Sequence, residues 1–70
     1  MKLSARNILK GTVKQIIPGA VNSEIIIQTA NGETIVSVIT KESAESLALK
    51  VGKPVYAVIK ASNVMVAVDD

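Results

Sequence analysis

The stretch VNSEIIIQTANGETIVSVIT, residues 21–40, holds two β-branched runs joined by Asn31-Gly32. Both linking residues tolerate the positive φ of a type I′ turn, so the pair predicts a tight hairpin. In the first run, residues 21–29, Val21, Ile25 and Ile27 fall on one face, while Ile26 sits among Asn22, Glu24 and Gln28 on the other. In the second run, from about 33 to 39, Ile35 and Ile39 share one side and Val36 and Val38 the other. A strand apolar on both sides expects cover on both: one side core, the other a partner. Ile26 is a candidate interface residue for the same reason.

Working outward, residues 8–17 alternate, with Leu9, Gly11, Val13 and Ile17 set against Lys10, Thr12 and Lys14. This predicts a strand before the hairpin. Pro18-Gly19 between them suits a type II turn, a fixed φ followed by a residue free to take φ > 0. On the other side, Thr40 is a candidate N-cap for a short helix over 41–49, with Ala44, Leu47 and Ala48 on one stripe. The run Lys50-Val51-Gly52-Lys53-Pro54 ends it. Residues 55–60 and 64–68 read as the fourth and fifth strands, and Asp69-Asp70 as a frayed acidic tail. Five strands with one helix between the third and fourth is the element order of a mainly all-β, OB-like Greek-key barrel, here a single domain over residues 1–70. An SH3-like barrel or a split open sheet are the other arrangements of this order.

Seventy residues bury only a thin core. With no Cys and no His, neither disulfides nor a structural zinc site can reinforce it. Yet 49% of the residues are hydrophobic and the mean hydropathy is +0.41. Self-association is the remaining way to bury that surface. A net charge of +2 and an isoelectric point near 9.2 are a weak bias, which fits a small anion at least as well as a nucleic acid. The first residues lack the apolar core of a secretory signal and no run is long enough to span a bilayer, so a cytoplasmic protein without a membrane partner is expected.

Catalysis finds little support. Without His or Cys, acid–base work falls to scattered carboxylates, lysines or Tyr56, and the four glycines are isolated, so no phosphate loop forms. Oligonucleotide binding, common on OB barrels, stacks bases on aromatic side chains, and Tyr56 is the one aromatic residue present. Small-oxyanion binding asks for less: hydroxyls, N–H groups and one or two cations around four acceptor oxygens. Two donor-rich junctions flank the β body, Ser4-Ala5-Arg6-Asn7 and Lys60-Ala61-Ser62-Asn63, and Thr40 and Ser43 bracket the expected helix start. The same groups would serve equally as turn caps, a helix cap and solvated charges.

Taken together, Ser4-Ala5-Arg6-Asn7 with Gly11, then Ile39-Thr40-Lys41-Glu42-Ser43, then Ile59-Lys60-Ala61-Ser62 with Val64-Met65-Val66, resemble the Mop domain of molbindins, small molybdate-binding proteins. The resemblance covers essentially the whole chain; Ile8 departs from it, where Gln is frequent. It implies an OB-like barrel assembled as a homohexamer, a trimer of dimers, with molybdate or tungstate as the bound ligand and no catalytic cofactor or nucleic-acid partner. It further implies anion sites between subunits, with Ser4, Arg6, Lys60, Ala61 and Ser62 from one chain and Thr40 and Ser43 from the next. A second kind of site near the threefold axis is implied at Gly19, Ala20, Val21 and Asn22. Storage or buffering of the oxyanion is the implied role; an oligonucleotide-binding module, or a carrier of molybdenum bound to pterin, are the alternatives.

Overall fold

The computed structural model describes residues 3–69. Its elements run β1 (Asn7–Pro18), β2 (Asn22–Thr29), β3 (Thr34–Thr40), α1 (Lys41–Ser46) and β4 (Pro54–Ile59), followed by a single 3₁₀ turn (Ala61–Asn63). The strands form one antiparallel sheet in the order β3-β2-β1-β4, curled around a small core. β1 is its organising strand. Its first half, Asn7 to Thr12, pairs with β4, and its second half, Gly11 to Pro18, with β2. The two ladders overlap at Gly11 and Thr12, so the strand passes from one to the other as it bends.

The core lies inside that bend. Val13, Ile25, Ile27 and Ala57 are buried, and Ile16, Ile35, Ile39, Leu49 and Val55 pack against them. Plain alternation from Val13 places Ile17 inward, but the β1–β2 register shifts between Val13 and Gln15. Lys14 is the extra residue of a β-bulge, which reverses the parity. Ile16 therefore turns to the core, and Ile17 is exposed on the face of Glu24 and Val38. Leu9 keeps the side expected of it, opposite Ala57, although it too is exposed.

Both turns depart from their expected types. The Asn31-Gly32 hairpin has a three-residue loop: Gly32 N–H donates to the Thr29 carbonyl (2.9 Å), and Gly32 takes φ +91 while Asn31 does not take a positive φ. This is a type I turn followed by a left-handed glycine, which needs one positive-φ residue rather than two. Thr29 fixes it further, for Glu33 N–H donates to its Oγ1 (3.2 Å) and that hydroxyl donates to Glu33 Oε1 (3.1 Å). At Pro18-Gly19 the turn shifts along the chain and Gly19 is not among the positive-φ glycines. Gly19 N–H donates to the Asn22 carbonyl (2.8 Å), and a Cβ on Gly19 would stand 2.6 Å from that oxygen. Close approach, not φ, selects glycine there.

α1 stops at Ser46, sooner than composition suggests, because Ala48 adopts φ 51. Ala48 N–H donates to the Glu45 carbonyl (2.9 Å) and Leu49 N–H to that of Ala44 (3.1 Å), a Schellman ending that turns Leu49 into the core. The larger departure concerns the expected fifth strand. Among the described residues, 64–68 pair with no strand of their own chain. The run leaves the body extended and solvent-exposed, so the sheet keeps two free edges, β3 and β4.

Candidate functional site

The two donor-rich junctions meet. β1 begins where β4 ends, with Asn7 paired to Ile59, and the Asn7 Nδ2 donates to the Ile59 carbonyl (3.2 Å). Residues before the one and after the other therefore leave the sheet side by side. Beyond β4 the 3₁₀ turn holds the chain close, with Asn63 N–H donating to the Lys60 carbonyl (2.8 Å) and Val64 N–H to that of Ala61 (3.3 Å). Ser4, Ala5, Arg6, Lys60, Ala61 and Ser62 line one hollow of ≈ 370 Å³. Ala5 is the member that residue chemistry alone does not single out; its place between Ser4 and Arg6 is the signal.

Two cations and two hydroxyls line this hollow with no carboxylate among the described residues, which favours an anion. Arg6, Lys60, Ser4 and Ser62 are all exposed. The hollow is open to solvent and wider than one tetrahedral oxyanion. It is an open wall rather than a closed site.

Thr40 and Ser43 are not part of that wall. Thr40 caps α1, its Oγ1 accepting from Ser43 N–H (3.1 Å) and donating to Ser43 Oγ (2.8 Å). In the strand register Thr40 pairs with Asn22, next to Ser23 opposite Pro18, whereas Arg6 precedes Asn7. The two groups thus belong to opposite ends of β1, a strand about 36 Å in contour at ~3.3 Å per residue. Thr40 and Ser43 instead neighbour the second candidate group, Gly19, Ala20, Val21 and Asn22, where Lys41 N–H donates to the Val21 carbonyl (2.9 Å). All four residues of that turn are exposed.

Comparison with known proteins bears on this arrangement. A TOBE domain model matches residues 3–66. A probable molybdenum-pterin-binding protein of Haemophilus influenzae is 45% identical over 99% of this chain and 100% of its own length. The chain belongs to the Mop, or molbindin, family. Among solved Mop structures, the molybdate-binding protein from Sporomusa ovata superposes with a TM-score of 0.90 at 39% identity, covering 96% of this chain and 98% of that one. The cytoplasmic molybdate-binding protein ModG, with molybdate bound, superposes at 0.89 with 54% identity over 93% of this chain and 46% of its own. The OB-like class expected from the sequence is therefore the fold, and the Mop relatives are named as binding proteins for molybdate or molybdenum-pterin. Among the described residues, no helix is long and apolar enough to cross a membrane.

Proposed function

We propose that this Mop domain binds molybdate, and tungstate of the same shape and charge, by hydrogen-bonding the oxyanion's oxygens without catalysing a reaction. The observation that supports it most is the convergence of Ser4, Arg6, Lys60 and Ser62 on one hollow at the joined ends of β1 and β4, with no carboxylate among its described lining residues. Because the hollow is one wall, the cage needs donors from elsewhere. Thr40 and Ser43, which the register sets at the other end of β1, fit as the contribution of a second subunit, and the turn at Gly19 to Asn22 fits as a further backbone site. The reading extends to a cytoplasmic homohexamer, a trimer of dimers, that stores and buffers the anion, with residues 1–70 acting as one domain.

The names of the relatives keep a molybdenum-pterin cargo as the second reading. A pterin ring gains from aromatic stacking, and Tyr56, the lone aromatic residue, lies on β4 opposite Lys10 and outside the hollow.

Isothermal titration with molybdate, tungstate and sulfate decides the matter. Saturable heat from molybdate and tungstate, and none from the smaller sulfate at equal concentration, is the expected result. Equal response to all three anions would reduce the hollow to a general basic patch; no response to any would remove it as a site.

A further inference from the structure

Each of the two junctions that meet at the hollow contains an asparagine, Asn7 in one and Asn63 in the other, and the side chain of Asn7 ties the two together. Asn7 does not line the hollow. Along the approach to β1 exposure alternates, with Ser4 and Arg6 exposed and Ala5 and Asn7 half-buried, which sets the carboxamide apart from the guanidinium beside it. Its Nδ2 donates to the Ile59 carbonyl at 3.2 Å, joining residues 52 apart in the chain. A carbonyl only accepts, so the amide presents its N–H side there.

That bond sits at a weak point of the sheet. The pairing of β1 with β4 ends at Asn7 and Ile59, and beyond it, among the described residues, no backbone hydrogen bond joins 4–6 to 60–62. The bonds of the 3₁₀ turn, Asn63 to Lys60 and Val64 to Ala61, tie the exit from β4 only to itself. The last rung of a ladder frays most readily. Here the residues flanking that rung, Arg6 and Lys60, carry like charges that push the two segments apart. The Asn7 bond opposes both tendencies, and a side chain this short loses less rotamer freedom on being fixed than Gln, Lys or Arg would.

We propose that Asn7 is a positioning residue for the oxyanion wall: its bond to the Ile59 carbonyl holds the approach to β1 against the exit from β4, so that Arg6 and Lys60 stand together on one anion. This role rests on the function proposed above. It divides the donors of Ser4-Ala5-Arg6-Asn7 into two kinds, for Ser4 and Arg6 face the ligand while the Asn7 carboxamide is committed to the chain itself. A chain without that bond keeps its ligand donors but lets them splay, and an arriving anion must then order them, which weakens binding.

Asn7→Ala removes the amide, and Asn7→Leu removes it while keeping its bulk. Both variants are titrated with molybdate beside the unaltered chain, alone and combined with Arg6→Ala, and the urea midpoint is recorded for each. Affinity is expected to fall about 3- to 10-fold in both, within the net worth of one neutral hydrogen bond. The fall should be smaller where Arg6 is already alanine, because the spacing of a missing cation no longer matters. A residue that only supports the fold would give the same fold-loss in both backgrounds, and that result overturns the proposal, as does unchanged affinity in either single variant. Amide hydrogen exchange, measured without any oxyanion, should quicken at Asn63 and Val64, because the turn that begins at Lys60 loses its anchor to β1. If no form of the chain takes up molybdate, the function proposed above fails, and exchange alone decides on Asn7: unchanged rates at Asn63 and Val64 overturn its hold on the turn.

Discussion

Arg6 carries the sharpest single-residue expectation. It lies exposed on the wall of the hollow and supports no part of the core. Arg6→Ala should weaken molybdate binding about 10- to 150-fold, the worth of one hydrogen bond to a charged group at about 1.5–3 kcal/mol. The urea midpoint should stay put. Unchanged affinity would take Arg6 out of the site. Ala48 offers a test of the backbone instead. A non-glycine residue at φ 51 costs about 1–2 kcal/mol, and glycine returns about 0.5–1 kcal/mol of that through its freer unfolded chain, so Ala48→Gly should stabilise by roughly 0.5–1 kcal/mol. A lower urea midpoint at equal protein concentration would contradict it. Thr40 was legible as a cap, and Arg6, Lys60 and the serines as candidate anion donors, because residue chemistry alone marks them. Ala48 was not: nothing in an alanine announces a left-handed conformation, which the packing of Leu49 imposes.

At the scale of elements, β1 does the most. Its bend brings the strand backbones close at Gly11, where an added Cβ would run into the Gln28 carbonyl oxygen and the Ile27 side chain. Gly11→Ala should therefore cost about 1–3 kcal/mol, the usual range for forcing an atom into a packed site, measured as a fall in denaturation midpoint. A neutral change would mean that the two ladders are less tightly overlapped than the register indicates. All four paired strands were readable from alternation to within a residue or so at each end. The faces of β1 were not, since a bulge at Lys14 leaves no mark in the hydrophobic pattern and yet exchanges Ile16 for Ile17. The hairpin at Asn31-Gly32 was placed correctly but given the wrong turn, because Asn-Gly fits both a two-residue loop and the glycine of a three-residue one. The run 64–68 alternates like a strand but pairs with none among the described residues, and alternation alone does not supply a partner.

Many large apolar side chains of the described residues lie exposed, among them Ile17, Val36, Val38 and Val58. On the outer face of the sheet Ile26 sits half-buried between Gln15 and Val36, next to exposed Val38 and Ile17. Ile26→Lys should place a charge on that face and reduce the size of the assembly in sedimentation velocity while leaving each chain folded. Particles of unchanged size would free this face from any interface. Self-association was an expectation drawn from 70 residues that are 49% hydrophobic and lack cysteine, whereas which apolar residues stand exposed depends on curl, bulge and register, which composition does not carry.

Native mass spectrometry of the purified protein, alone and with molybdate or sulfate, most directly tests the claim that oxyanion sites form between subunits. Hexamers that gain discrete molybdate masses and none from sulfate are the predicted result, with the gain lost when a brief dissociation step returns the sample to monomers. Monomers that take up molybdate as fully as the assembly would contradict it, for the hollow of a single chain would then be the whole site.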